Sequence, residues 1–266
     1  MKIILIIFLS IIYATNTYSD LNHRGGCEND YYHKIMLLPE NSLICLEAGL
    51  VGIGGGEMLQ DSEMFEYLEF DVRETKDHEI VVYHGGSKGR IFGKDGPAST
   101  SNAMIPYSAY NKAVYESFNI GISWKKVRVK DVTLEQISQF KLYGEYDQFV
   151  PSLQEYLQAT ITFGLRRPLM VELKDIYSID GRDKLLQIVS SYKQNFINLV
   201  DINLVANPKK EFDFQKVGFM ARTTKAKSIM GKVGSASFLN WCNMFKQYGF
   251  PGIYKTTKSK KNYCPK

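Results

Sequence analysis

The chain has 266 residues, 44% of them hydrophobic and 23% charged, an ordinary globular balance that excludes disorder, collagen and coiled coil. Its 33 Lys and Arg against 28 Asp and Glu leave a net charge of +5, too small an excess to suggest a nucleic-acid binder by itself. The length suits one large domain, such as an α/β barrel of about 250 residues, or two small ones.

Met1-Lys2 is a short positive start, Ile3 to Ala14 is apolar except for Ser10, and Thr15 to Ser19 is small and polar except for Tyr18. That layout predicts a secretory signal peptide over residues 1–19, cleaved after Ser19 or, alternatively, Ala14. The apolar run is too short to span a membrane. A mature chain of residues 20–266 is then expected outside the cytoplasm, secreted or periplasmic. There Cys27, Cys45, Cys242 and Cys264 meet oxidising conditions. An even count predicts two disulfides, with three pairings open and buried free thiols as the alternative.

A short strand candidate, Asp20 to Asn22, runs into His23-Arg24-Gly25-Gly26. Pro39 starts a predicted helix with Leu43, Leu46 and Leu50 at helical spacing. Gly52 to Gly56 reads as a loop and lacks the Gly-Lys-Ser/Thr ending of a phosphate loop. Strands are predicted over Tyr67–Val72 and Ile80–Tyr83, the second ending at His84, with a turn at Thr75–His78. Residues 85–130, rich in Gly, Ser, Asn and Tyr, read as an insertion with limited regular structure. Thr133–Phe140 reads as a helix with a Thr133/Gln136 capping box. Further helices are expected over Pro151–Ala159 and Lys184–Ser191. Leu169–Leu173 is a predicted strand, and Leu199–Val205, Val217–Met220 and Gly252–Tyr254 are later candidates. Strands alternating with helices predict parallel βαβ units. Residues 255–266 carry five lysines and no acid: a solvated tail, or a weak contact with an anionic membrane surface.

Residues two apart on a strand face one way, so Glu69 and Asp71 share a face, as do Glu172 and Lys174. Converging buried carboxylates need a cation or a proton between them, and an oxygen-only ligand set suits Mg²⁺ or Ca²⁺. His23 and His84 stand at the ends of candidate strands, where a parallel barrel gathers its active site, and could serve as general base and general acid. Arg24 offers a planar fork to phosphate oxygens and Lys174 a second cation. His33 and His78 read as structural.

His23-Arg24-Gly25, Pro39-Glu40-Asn41, Glu69-Phe70-Asp71-Val72 with Thr75-Lys76-Asp77 and Ile80–His84, Asp131 to Glu135, Val150 to Leu153 and Val171-Glu172-Leu173-Lys174 together resemble, in order, the signature of the glycerophosphodiester phosphodiesterase family. The resemblance implies a TIM barrel with a divalent metal, Mg²⁺ or Ca²⁺, held by Glu69, Asp71 and Glu172. It implies His23 and His84 as the acid–base pair, Arg24 and Lys174 on the phosphate, and Glu40 near metal and substrate hydroxyls. The implied substrates are small glycerophosphodiesters or lysophospholipids. A glycerol hydroxyl attacks phosphorus, an alcohol leaves, and water opens the cyclic product. Three departures stand out. Gly85 replaces the Asp that usually follows the second histidine. Residues 27–38, 50–62 and 85–130 look like insertions. The C-terminal part matches poorly, and the seventh strand cannot be placed. The expected architecture is therefore one barrel over residues 20–266, elaborated in front and shortened and irregular behind. A sphingomyelinase D-like phospholipase, which Tyr83-His84-Gly85 with Gly89-Arg90 also resembles, and a non-catalytic secreted barrel are the alternatives.

Overall fold

The structure, a computed structural model, describes residues 23–27, 37–52, 58–62, 65, 68–93, 104–144, 146–167, 169–199, 218–220, 243, 244, 246–248, 253 and 254. The signal peptide, the Asp20–Asn22 strand candidate, His33, Cys242, Cys264 and the lysine tail lie outside the described residues.

Two seven-residue strands, β1 (Leu68–Glu74) and β5 (Leu169–Asp175), form the centre of a five-stranded sheet. They run parallel, with Phe70 beside Val171 and Asp71 beside Glu172. Strand alternation sorts their side chains. Leu68, Phe70 and Val72, with Leu169, Val171 and Leu173, join a core shared with the helices α1 (Leu43–Leu50), α4 (Leu153–Thr162) and α5 (Ile179–Leu199). Glu69, Asp71 and Arg73 fall on the opposite face, buried with Glu172 and Lys174. The sheet thus presents an apolar face to its helices and a charged one to the site.

The helices start where polar caps allow. Ser42 accepts the Cys45 amide at 3.1 Å, so α1 begins at Leu43 rather than at Pro39, and Asn41 at φ 59° is left-handed and stops a helix from starting earlier. Capping boxes at Thr133/Gln136 and Ser152/Glu155 open α3 (Leu134–Ile137) and α4. The predicted Lys184–Ser191 helix is much longer, because its first turn is held by the end of β1. The buried Glu74 carboxylate accepts the amides of Tyr177 at 2.6 Å and Ser178 at 2.9 Å, satisfying donors that a helix start leaves unpaired. The strand candidate Leu199–Val205 is corrected at Leu199, the last residue of α5; the rest of it lies outside the described residues.

Glu74 also lies 2.7 Å from Nδ1 of His78. That hydrogen bond raises the His78 imidazole above its ordinary value; burial opposes the rise, and the charges of Glu74, Asp180 and Asp77 add to it. A folded value above the unfolded one contributes stability that is present below about pH 6.5 and is lost as pH rises through the raised value. The melting temperature is expected to fall over that window, and a His78→Ala melt series should lose this slope.

Two expectations are corrected in the segment between β1 and β5. The strand β2 (Ile80–Val82) pairs antiparallel with β1, Val72 opposite Val82, because Thr75–Asp77 turns the chain tightly back. It is therefore not a unit of a parallel barrel, and the parallel strands of this sheet are β1, β5, β6 (Gly218–Met220) and β7 (Ile253–Tyr254). Residues 85–130, in turn, are more than a loop. They hold the short parallel pair β3 (Phe92–Gly93) and β4 (Ile105–Pro106) and the helix α2 (Ala109–Ser117). Ile91, Phe92, Ile105, Val127 and Val129 form a second core with Val132, Ile137 and Phe140. The buried Asn111 side chain stitches it together, donating to the carbonyls of Pro106 at 2.8 Å and Lys141 at 2.9 Å. Near the C-terminus, Tyr248 donates to Asp183 of α5 at 2.6 Å, anchoring that stretch to the helical layer.

Candidate active site

The charged face of β1 and β5 brings Glu69, Asp71 and Glu172 together. Each is fully buried, and one ligand oxygen from each lies within 4.8 Å of the others. The parallel register sets Asp71 directly beside Glu172, and Glu69 joins them from one alternation earlier. Lys174 sits among them, its Nζ 2.6 Å from Glu172 Oε1 and 2.8 Å from Asp71 Oδ1. The side chain that sequence reasoning aimed at a phosphate is thus ion-paired with two presumed metal ligands.

The loop before α1 closes the site from above. Arg24 adopts φ 53° within the turn His23–Gly26, which aims its amide at Glu69 Oε2, 2.8 Å away. Its guanidinium pairs with Glu40 at 2.7 Å and lies 3.5 Å from His84 Nε2. Glu40 Oε1 is 3.5 Å from His84 Nδ1. Asn41 donates its side-chain amide to Asp71 Oδ2 at 3.0 Å, while its backbone amide is held by the Arg24 carbonyl at 3.0 Å. His23 opens the turn, but its imidazole lies outside what the structure describes. Gly25 has φ 81°, and a Cβ there would stand 2.8 Å from the Tyr156 hydroxyl, so the motif needs glycine on both counts.

A disulfide between Cys27 and Cys45 ties this turn to α1 and settles one of the pairings that sequence left open. It closes a loop with a sequence separation of 18, worth about 3 kcal/mol in the chain-entropy picture. A Cys27→Ser/Cys45→Ser double variant is expected to lose about that much stability in urea unfolding. Its binding of divalent metal should change little, because the three carboxylates ride on strands rather than on the turn.

The electrostatics follow from burial. Glu69 is pushed well above the usual carboxylate range, first by burial and then by the charges of Asp71 and Glu172. Burial also opposes ionisation of Asp71, but Lys174, His84 and the Asn41 hydrogen bond outweigh it and hold its carboxyl below the ordinary value. Burial raises Glu40 to about 7, with Arg24 opposing the rise and Asp71 adding to it. His84 falls to about 3: burial disfavours its cation, and Arg24, Lys174 and Arg73 prevail with it over the attraction of Asp71. Its ring is neutral at physiological pH and can accept a proton.

The donor set fits a hard divalent cation. It is all oxygen and anionic. Three buried carboxylates against Lys174 leave two negative charges, which one such ion neutralises; otherwise a proton must settle on Glu69.

Three residues near the cluster had no role in the sequence reading. Asn41 lay inside a quoted motif, and only the backbone shows it holding Asp71. Tyr156, whose buried hydroxyl lacks a hydrogen-bond partner, reads in sequence as an ordinary core position of α4, and its ring does pack on Phe70 at 4.9 Å. Arg73 extends the Glu69, Asp71 alternation by one step, a signal that was present in the sequence.

The family model described as the glycerophosphoryl diester phosphodiesterase family matches residues 62–232. Among solved structures, one from Galdieria sulphuraria, assigned as a glycerophosphodiester phosphodiesterase, is 20% identical with a TM-score of 0.44, covering 88% of this chain and 73% of its own. The glycerophosphodiester phosphodiesterase of Agrobacterium tumefaciens is 15% identical at 0.40, covering 88% and 74%. A phosphodiesterase of Oleispira antarctica, solved with the product sn-glycerol-3-phosphate, is 15% identical at 0.37, covering 88% and 72%. No curated protein matches the chain. The family match spans more than half of the sequence and includes the strands of Glu69, Asp71 and Glu172, and on it the chain belongs to the glycerophosphoryl diester phosphodiesterase family.

Proposed function

We propose that this enzyme hydrolyses small glycerophosphodiesters to glycerol phosphate and an alcohol, or lysophospholipids to acylglycerol phosphate and an alcohol, in a reaction that depends on Mg²⁺ or Ca²⁺. One observation carries the reading: in a chain of this family, three fully buried carboxylates converge within 4.8 Å next to a neutral histidine and an arginine. Glu69, Asp71 and Glu172 would hold the ion, which when bound supplies a positive charge opposite the phosphoryl oxygens.

The remaining steps belong to the chain's own side chains. Arg24, aimed from its turn beside His84, binds a phosphoryl oxygen through its guanidinium. His84, neutral and therefore proton-accepting, removes the proton of the attacking glycerol hydroxyl. His23 is the partner acid that protonates the leaving alcohol, and the same pair then works in reverse as water opens the cyclic product. Glu40 bridges Arg24 and His84 and lies where it can also meet a substrate hydroxyl. Lys174, paired with both Asp71 and Glu172, adds a positive charge that favours the phosphate. The domain is read as one barrel over residues 20–266 with residues 85–130 as an inserted lobe, exported by its signal peptide, its lysine tail free for weak contact with anionic surfaces.

The test is a substrate panel of glycerophosphocholine, lysophosphatidylcholine and sphingomyelin, run with Mg²⁺, with Ca²⁺ and with chelator. Metal-dependent release of choline from glycerophosphocholine is expected. Turnover of sphingomyelin alone would replace this reading with the sphingomyelinase D-like one, and turnover of none with a non-catalytic barrel.

A further inference from the structure

The position after His84 is where this chain departs from its family, and a buried arginine stands against it. Gly85 has φ 67°, and a Cβ there would lie 3.0 Å from the Tyr83 ring, 3.1 Å from the Arg90 carbonyl and 3.4 Å from Arg73 Nε. The aspartate usual at this place would be strained by that φ and would press on all three neighbours. Arg73, on the site face of β1 two residues past Asp71, takes up that space. It is among the largest fully buried side chains of the described residues and is 1% exposed.

Its guanidinium has two partners. Nε donates to the His84 carbonyl at 2.7 Å, and Nη1 pairs with Asp175. A register shift in the β1–β5 ladder makes the second contact possible: Val72 stands beside Leu173, but Arg73 stands beside Asp175. This irregularity skips Lys174 and brings the acid level with the guanidinium. The turn Ser87–Gly89 then folds over the head group, and a Cβ on Gly89 would be only 2.8 Å from Nη1. The His84 imidazole itself is held loosely by comparison. Its Nδ1 makes no hydrogen bond, and its contacts with Glu40 and Arg24 are both at 3.5 Å. What fixes the ring's position is therefore the backbone beneath it.

We propose that Arg73, braced by Asp175, is the positioning residue of His84, doing through the His84 carbonyl what a carboxylate at position 85 would do through the ring. The proposal rests on the reading of His84 as a proton-transfer group. It assigns Arg73 no contact with substrate.

Full-length protein labelled with ¹⁵N-histidine tests it, since the chain has only four histidines and a His84→Ala spectrum identifies the ring of interest. In Arg73→Met the His84 ring resonances should shift and broaden. With glycerophosphocholine and Mg²⁺, kcat should fall about a hundredfold, the scale of a roughly 1 Å misplacement, with KM changed less than about twofold. Arg73→Lys, which keeps the charge and one donor, should recover part of kcat. A folded Arg73→Met with unchanged His84 resonances and unchanged kcat overturns the proposal. Should Arg73→Met fail to fold, Asp175→Asn decides: its carboxylate is 43% exposed, and the change should still lower kcat about tenfold and disturb the ring signals, whereas no effect on either overturns the inference. A wild-type chain inactive on every phosphodiester defeats the proposed function, and the ring resonances then decide the positional claim alone.

Discussion

Glu69→Gln is expected to abolish metal-dependent hydrolysis and, in the presence of chelator, to make the protein more stable than wild type. The two effects have one cause. Glu69 is a fully buried acid whose ionisation is opposed by burial, Asp71 and Glu172. A glutamine of the same shape still accepts the Arg24 amide but brings no charge. With the ion bound, that missing charge removes a ligand and several kcal/mol of transition-state stabilisation, a loss of at least about a thousandfold. Without the ion, it removes the cost that wild type bears there, either like-charge repulsion or the uptake of a proton. The pH dependence has a definite sign. A carboxyl raised in the fold binds its proton more tightly there than in the unfolded chain. Wild-type stability in chelator should therefore fall as pH rises from about 4.3, the unfolded glutamate value, toward the raised folded one. Glu69→Gln should flatten that fall, and metal should erase it in wild type only. Melting curves across pH, with and without metal, read all of this. Equal chelator-state stability of the two proteins, or surviving metal-dependent turnover in the variant, would remove Glu69 from the metal site. Glu172→Ala should match the loss of turnover but not the gain in stability, because it also strips Lys174 of its 2.6 Å partner.

Part of the acidic cluster was legible from period. A strand alternates faces, so Glu69 shares one with Asp71 and Glu172 shares one with Lys174, and buried acids call for a compensating charge; that the three carboxylates form one metal set was implied by the family resemblance. Caps were legible for the same local reason: Thr133/Gln136 needs only three residues to declare itself. What could not be read depends on distant partners. The length of α5 rests on Glu74, separated by 104 positions from the Ser178 amide that it accepts. The core of the inserted lobe is built from Ile91, Phe92, Ile105, Val127 and Val129, which are too scattered to show a period. His84 was expected at the site because parallel strand ends converge. It arrives by another route: the Thr75–Asp77 turn sends β2 back antiparallel along β1, so that Tyr83 bonds the Asp71 carbonyl at 2.9 Å and the next residue comes level with the loop of Arg24 and Glu40. The pattern of residues pointed to the acids that gather at the site but not to the topology that assembles them.

His84→Ala is expected to lower turnover of glycerophosphocholine about a hundredfold or more, the usual contribution of a positioned acid or base. The proposed mechanism gives the two histidines different proton roles, which the sequence left interchangeable. Burial, reinforced by Arg24, Lys174 and Arg73 and opposed by Asp71, holds the His84 ring at about 3. At pH 7 the ring is neutral, which agrees with the proposed mechanism, where it takes the proton of the attacking glycerol hydroxyl. Protonating the leaving alcohol then falls to His23. A glycerophosphodiester of p-nitrophenol distinguishes these assignments, because its leaving group departs without a proton. The His84→Ala defect should persist undiminished with that substrate, while the His23→Ala defect should shrink toward wild type. The reverse pattern would exchange the roles of the two histidines. Undiminished turnover of glycerophosphocholine in His84→Ala would deny this ring any part in the proton transfers.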